Sequence, residues 1–367
     1  MKNNRTFLEK LLDGAEVKWK PLIKVASLTR GRVISKEYLA DNLGDYPVYS
    51  SQTVNNGEIG KINSFDFDGE FVSWTTDGAN AGTVFYRSGK FSITNVCGLI
   101  KIQNNLELNY KFLFYWLSIE AKNHVYSGMG NPKLMSHQME KILIPIPPLP
   151  VQTEIVKILD TLTALTSELT SELTLRRKQY EYYREKLLSF DSLEQLNMGG
   201  AKKKLIDVAK IKNGKDWKHL GGGDIPIYGS GGIMGYVDTY SYDKPTVLIP
   251  RKGTITNIFY LDEPFWNVDT IYYTEIDENQ ILPKYFYHFM KTVDLTKLDT
   301  GSGRPSLTQA ILNEILIFVP PPEEQQRIVS ILDKFETLTN SITEGLPLAI
   351  EQSQKRYEYY RELLLSF

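Results

Sequence analysis

Residues 147–160 read PPLPVQTEIVKILD, and residues 320–333 read PPPEEQQRIVSILD. A second pair lies beyond them: YEYYREKLLSF at 180–190 and YEYYRELLLSF at 357–367, identical at ten of eleven positions. A period of about 175 residues is far too long for a solenoid, whose units run to roughly 20–50 residues. The chain therefore reads as a duplicated unit, a globular domain followed by a helix, then the same again. The segments ahead of the helices match more loosely but in the same order. Val25-Ala26 answers Val208-Ala209, Tyr46-Pro47-Val48-Tyr49 answers Ile225-Pro226-Ile227-Tyr228, and Gly128-Met129-Gly130-Asn131-Pro132 answers Gly301-Ser302-Gly303-Arg304-Pro305. These matches set two globular domains at 1–146 and 199–319, and two helical regions at 147–198 and 320–367.

The prolines at 147–148 and 320–322 enforce extended backbone, and beyond them the apolar spacing turns to heptads. Ile155, Leu162 and Leu169 lie seven apart, as do Ile158 and Leu165; in the second copy Ile328, Phe335 and Ile342 do the same. Such seams ask for a partner helix, and the simplest partner is the other copy, packed antiparallel. Gly345-Leu346-Pro347 predicts a break, because proline removes a backbone donor and clashes with the preceding turn. Short β-rich runs bounded by Gly, Asp and Asn fill the globular parts: 71–74, 83–86, 98–102, 246–249 and 270–273. Helices are expected at 110–124 and 283–291, and a last strand before each proline segment. The fold class is thus α+β: two mixed α/β domains separated by two long helices in an antiparallel coiled coil, with an internal pseudo-twofold repeat.

Composition narrows the function. The 367 residues carry 42 Lys+Arg against 44 Asp+Glu, a net charge of -2, so any nucleic-acid surface has to be local. The single cysteine, Cys97, excludes an intramolecular disulfide framework and a Cys-rich zinc site, which fits a reducing cytoplasm. Residues 7–12 are too short and too charged for a signal core, and no apolar run of about 18 residues predicts a membrane span. The four histidines show no HExxH spacing. No GxxxxGK[ST] loop, GxGxxG turn or methyltransferase Asn/Asp-Pro-Pro-aromatic signature is complete.

Taken together, the two proline-rich segments, the tandem Thr166-Ser167-Glu168-Leu169/Thr170-Ser171-Glu172-Leu173 and the two YEYYRE endings resemble the specificity subunit of type I restriction-modification enzymes, over essentially the whole chain. The resemblance implies that each globular domain is a target recognition domain reading one part of a split, asymmetric DNA site. It also implies that the paired helices act as a ruler and dock two methyltransferase subunits, with restriction and translocase subunits completing the complex. Catalysis, S-adenosylmethionine, ATP and magnesium then belong to those partners; this chain carries no catalytic residue, cofactor or metal. One TSEL step adds about 6 Å of helix and about 40° beyond a full turn, commensurate with one or two base pairs of duplex. The same tandem also reads as plain helix with a coiled-coil leucine. The second copy has no equivalent tandem, so a spacer length cannot be read from the repeat.

Candidate DNA contacts come from the cationic and polar positions ahead of the helices: Arg30, Arg32, Lys36, Tyr49, Ser51, Gln52, Asn131 and Lys133 in the first domain. The second domain offers Lys212, Lys215, Tyr228, Ser230, Arg304 and Ser306, with Lys202, Lys203, Lys204 and Lys210 nearby in sequence. Cations neutralise phosphates, while hydroxyls and amides suit base edges; a solvated charge run or a plain tight turn is the competing reading. Candidate partner contacts are Gln152, Ile155, Tyr180, Tyr183 and Arg184, with Gln325, Ile328, Tyr357, Tyr360 and Arg361 in the second copy. Near-identity of the two tyrosine stripes points to two equal partners. A stand-alone DNA-modifying enzyme and a protein-interaction adaptor that does not bind DNA are the alternatives.

Overall fold

The structure, a computed structural model, describes residues 6–127, 130–195, 199–301 and 303–367. Gly128, Met129 and Ser302 of the two glycine elements, and Met198 at the expected end of the first helical region, lie outside the described residues. The chain divides into two compact units, Met1–Glu168 with Glu351–Phe367, and Leu169–Ile350. Each unit holds one globular domain plus the start of its own helical region and the end of the other copy's.

In the first unit a six-stranded sheet runs in the order Ala26–Arg30, Cys97–Ile102, Phe67–Thr75, Val84–Ile93, Leu43–Tyr49, Glu58–Ile62. Neighbours are antiparallel except Leu43–Tyr49 against Val84–Ile93, which is parallel with Val48 opposite Ser92. The Tyr110–Glu120 helix begins at Asn109, whose side chain accepts from the amides of Lys111 and Phe112 at 2.8 and 3.1 Å. That cap satisfies two of the free N–H groups of the first turn. Phe112, Leu113 and Leu117 then bury against Val72, Trp74 and Ile100 of the sheet.

The second unit keeps the scheme with a divided sheet. Ala209–Lys212, Ile271–Ile276, Thr246–Pro250 and Phe259–Leu261 form one sheet; Gly232–Val237, Ile225–Gly229 and Trp266–Asn267 form another. The parallel pairing recurs, with Ile227 opposite Trp266 and Tyr228 opposite Asn267. The Pro283–Met290 helix is buried along nearly its whole length. In both units the last strand pairs with a short strand at the start of the domain: Leu143–Ile146 with Lys18–Pro21, and Leu316–Val319 with Ala201–Lys204.

The first helical region is one continuous 40-residue helix, Leu149–Leu188. The second is broken into Pro322–Asn340 and Gly345–Leu364, as Gly345-Leu346-Pro347 predicts, with Gly345 at φ +80°. Ile342 falls in the break and is exposed, so it does not extend the heptad seam. Pairing is antiparallel within each unit. In the first, the Thr166 and Ser353 hydroxyls hydrogen-bond at 2.8 Å. In the second, Arg177 donates to the Thr339 carbonyl at 3.5 Å, while Tyr180 and Tyr183 stack on Phe335 at 6.3 and 5.6 Å. Among the described residues no helix is long and apolar enough to cross a membrane.

One buried glutamine per unit bolts domain to helix. Gln152 accepts from the Asn109 amide at 2.9 Å and donates to the carbonyls of Glu107 and Pro147 at 2.8 and 2.9 Å. Gln325 repeats the set, accepting from Leu282 N at 2.7 Å and donating to the Gln280 and Pro320 carbonyls at 3.1 and 2.8 Å. An apolar residue of similar size would leave buried backbone groups without partners, at about 1–3 kcal/mol for each. Gln325→Leu is expected to lower the stability of the full chain by at least that amount, read as an earlier denaturant midpoint. An unchanged midpoint would contradict the role given to this side chain.

Candidate nucleic-acid interface

Of the residues singled out in the sequence, one set converges at the loop end of each sheet. In the first unit the chain leaves Ala26–Arg30 through Gly31, where a Cβ would stand 2.2 Å from the Ile93 carbonyl oxygen. Gly214 makes the same approach in the second unit, 2.0 Å from Val268 O. Only glycine permits such contact. The 49–52 loop then meets the 75–83 turn: the Asn80 side-chain amide donates to the Ser51 carbonyl at 3.0 Å. The turn in turn holds the Asn131-Pro132-Lys133 segment, because Gly78 N donates to Pro132 O at 3.0 Å and Leu134 N to Thr76 O at 2.9 Å. Asn131 and Lys133 are both exposed. Arg30 reaches over the cluster, donating to Thr76 Oγ1, Asp77 Oδ2 and Asn95 O at 3.2, 3.4 and 3.1 Å.

The second unit repeats the three loop-frame bonds, though not those of Arg30. Asn257 donates to Ser230 O at 3.0 Å, Gly253 N to Pro305 O at 3.1 Å and Leu307 N to Arg251 O at 2.8 Å. Asp299 accepts from the Gly301 and Ser306 amides, both at 2.8 Å, and these backbone donors hold its carboxyl below its ordinary value. Arg304 and Lys215 are exposed and Ser306 half-buried.

Other candidates stand differently. Tyr49 and Tyr228 are half-buried supports beneath their loops. Tyr49 lies under the Arg87 guanidinium at 3.6 Å, and Tyr228 packs on Phe259 and Phe265 at 5.7 and 6.4 Å. Gln52 turns its amide onto the Glu58 carbonyl. Arg32 is held by Asp66 at 2.9 Å, and Lys212 by Glu275 at 3.2 Å. Lys36 is exposed in the first turn of Lys36–Asp41. Lys202, Lys203 and Lys204 belong to the strand paired with Leu316–Val319, where Lys203 donates to Gln280 and Lys204 to Glu314.

Arg87 was not foreseen. Its side chain is buried, and burial pushes the guanidinium down to about 10 even though Tyr49 favours the charge. It donates to Ser73 Oγ at 3.0 Å and Asn56 O at 2.8 Å, pinning a turn in which Asn55 and Asn56 hold φ of +50° and +53°. The adjacent asparagines tolerant of that backbone were the available signal. Asn80 and Asn257 were also missed; their equivalence shows only once the loops are placed.

The residues expected to meet partner subunits pack largely within this chain. Gln152, Ile155, Gln325, Ile328 and Tyr180 are buried inside their own units. Tyr357 and Tyr360 pack against the first unit's core together with Leu364 and Leu365, as Tyr180 and Leu188 join the second unit's core. Arg184 and Arg361 lie over Tyr180 and Tyr357 at 5.3 and 5.5 Å. These stripes are spent on the chain's own domains because that is where the apolar surface to be covered lies. Tyr183 keeps an exposed edge, and Tyr182 and Tyr359 are 56% and 62% exposed.

Beside each docked stripe sits a polar junction. In the first unit Asp160 accepts from Lys111 and from Tyr115 OH at 2.5 and 2.6 Å; in the second Asp333 accepts from Lys284 at 2.7 Å and meets His288 Nε2 at 2.8 Å. His288, Asp333 and Glu336 are close enough to share a metal ion. Lys284 and Tyr287 already donate to the two carboxylates, so the cluster is a completed hydrogen-bond network. Burial pushes the Asp333 carboxyl up, but His288 and Lys284 outweigh it and leave it below the ordinary value. A depressed folded value stabilises above the unfolded value of about 3.9 and ceases to do so as pH falls through it. The stability gap between the native chain and Asp333→Asn is therefore expected to close as pH is lowered below about 4. A gap independent of pH would refute the assignment. In the loop cluster, Asn257→Ala is expected to speed amide exchange at 228–232 while leaving the Pro283–Met290 helix protected, as hydrogen-exchange mass spectrometry would report.

Comparison with known proteins mirrors the duplication. A family model described as the type I restriction modification DNA specificity domain matches residues 16–175 and again 199–352. A putative type I restriction enzyme specificity subunit of Haemophilus influenzae is 42% identical, covering 100% of both chains. The EcoR124I/EcoR124II specificity subunit of Escherichia coli is 34% identical over 99% of this chain and 97% of its own length. In structure, the chain resembles the S subunit of a type I restriction-modification system from M. genitalium. The TM-score is 0.64 at 21% identity, over 100% of this chain and 96% of the other.

Proposed function

Because the chain belongs to the family of type I restriction-modification DNA specificity subunits, we propose that each unit reads one part of a split DNA target, and that the helices fix the distance between the parts. The observation that carries this is the loop cluster: the same framework of backbone and asparagine bonds recurs in both units beneath different side chains, Asn131 and Lys133 against Arg304 and Ser306. Two readers of unlike sequences need a common frame and divergent contacts.

On this reading the chain is the non-catalytic, sequence-selecting component of a cytoplasmic complex. Two methyltransferase subunits dock on the exposed faces of the repeated helical ends, where Tyr182 and Tyr359 stand at matched positions, and restriction and translocase subunits complete the assembly. S-adenosylmethionine, ATP and magnesium are bound by those partners. Arg30, Lys36, Ser51, Asn131 and Lys133 face one part of the target; Lys215, Ser230, Arg304 and Ser306 face the other. Residues 1–146 and 199–319 are the two target recognition domains.

The tandem at 166–173 lies inside the continuous Leu149–Leu188 helix, with Thr170 and Ser171 exposed. Removing residues 170–173 shortens the helix by about 6 Å and turns its remaining length by about 40°. In the reconstituted modification complex this deletion is expected to shorten the spacer of the methylated motif by about one or two base pairs, with both outer sequences retained. Mapping of methylated motifs reads the result; an unaltered spacer would reject the ruler.

A further inference from the structure

Asp77 and Arg251 stand on the same two-residue step of the shared loop frame. The step is Thr76-Asp77 before Gly78 in the first unit, and Arg251-Lys252 before Gly253 in the second. Its backbone is fixed identically: Gly78 N and Gly253 N donate to Pro132 O and Pro305 O, and Thr76 O and Arg251 O accept from Leu134 N and Leu307 N. With the frame held constant, the side chains are the variable, and they have opposite polarity. The first unit carries an acceptor, the second two donors.

An arginine anchors both arrangements from different places in the sequence. In the first unit Arg30, on the Ala26–Arg30 strand, grips Asn95 O at 3.1 Å and Asp77 Oδ2 at 3.4 Å. In the second unit Asn213 fills the position of Arg30, and Arg251 itself grips the matching carbonyl, Asp269 O, at 3.3 Å, its guanidinium 5.8 Å from the Tyr272 ring. Arg251 is half-buried and oriented by its Nη1 bond to Asp269 O and by the Tyr272 hydroxyl, and a guanidinium's five N–H donors exceed these two partners, which leaves donors for another. Lys252 beside it is exposed. Among the described residues Asp77 makes its side-chain hydrogen bonds through Oδ2, to Thr76 and Arg30, which leaves Oδ1 as an oriented acceptor.

We propose that this step determines specificity, with Arg251 reading a guanine in the part of the target bound by the second unit and Asp77 accepting from a cytosine amino group in the part bound by the first. The inference rests on the DNA-reading function above and adds to it which residue reads which base. A rigid guanidinium fork matches the O6 and N7 acceptors of guanine, and a carboxylate matches the N4 donor of cytosine. A bidentate contact of this kind is worth about 1–3 kcal/mol of discrimination, or about 5- to 150-fold. Lys252, flexible and exposed, suits a phosphate and carries no base identity.

The test uses the full chain reconstituted with its modification subunits, with methylated motifs mapped for the native chain and for Arg251→Lys, Lys252→Ala and Asp77→Asn. Arg251→Lys keeps the charge and the fold but loses the fork. It is expected to relax one G·C position by about 5- to 150-fold in one part of the motif, leaving the other part and the spacer intact. Asp77→Asn is expected to relax one position in the opposite part. Lys252→Ala is expected to weaken binding evenly across sequences and to make its salt dependence shallower. An unaltered motif with Arg251→Lys, or a uniform loss without change of motif, would overturn the proposal. Absence of motif-specific methylation with the native chain would instead sink the underlying function.

Discussion

Neither globular half can close its core with the residues of its own repeat. The first unit's core takes in Leu364 and Leu365 from the far end of the chain, with Tyr357, Tyr360 and Phe367 packed beside them; the second takes Tyr180 and Leu188 from the end of the first long helix. Full burial of each large apolar side chain is worth about 1.5–3 kcal/mol, so each borrowed helix end supplies a substantial share of a domain's net stability. The exchange makes the two helical regions obligatory partners of both domains, and antiparallel pairing within each unit is its consequence.

That constraint accounts for the near-identity of the two tyrosine-rich helix ends. YEYYREKLLSF and YEYYRELLLSF stay almost identical because each must fill an equivalent site, beside the Lys111–Asp160–Tyr115 junction in one case and Lys284–Asp333–His288 in the other. The buried faces answer to the chain itself. The tyrosines left outside, Tyr182 and Tyr359 foremost, are free to answer to other subunits.

Local patterns were legible in the sequence and long-range pairings were not. The duplication, the helix after each proline segment, the break at Gly345 and the main strands all come from periodicity and from proline and glycine chemistry, which act within a few residues. The short strand Lys18–Pro21 escaped notice, since the run is only four residues, ends in a proline and pairs with Leu143–Ile146 far along the chain. Ile342 kept the heptad count but fell where the helix had already ended, and Arg87 stands in a strand whose neighbours gave no hint of a buried cation. Among the candidate DNA contacts, Asn131 and Lys133 stand exposed on the loops of the first unit and Arg304 on those of the second, whereas Tyr49 and Tyr228 are half-buried beneath theirs. Residue type alone cannot separate a side chain that faces out from one that holds the loop from beneath.

The two units also show how one frame carries unlike surfaces without a matching sequence. The carbonyl of Asn95 and that of Asp269 sit at equivalent points, and each is held by an arginine, yet Arg30 and Arg251 lie at different places in the repeat and do not align. A repeat comparison position by position would register two losses; the structure registers one conserved bond made from two directions. Moving the arginine changes its surroundings, because Arg30 neutralises Asp77 while Arg251 stands beside Lys252. The second unit therefore offers uncompensated donors where the first offers a compensated acceptor. A chain of net charge -2 thereby presents a neutralised pair at one loop and two cations at the equivalent loop, so that one frame offers different groups to two dissimilar sequences.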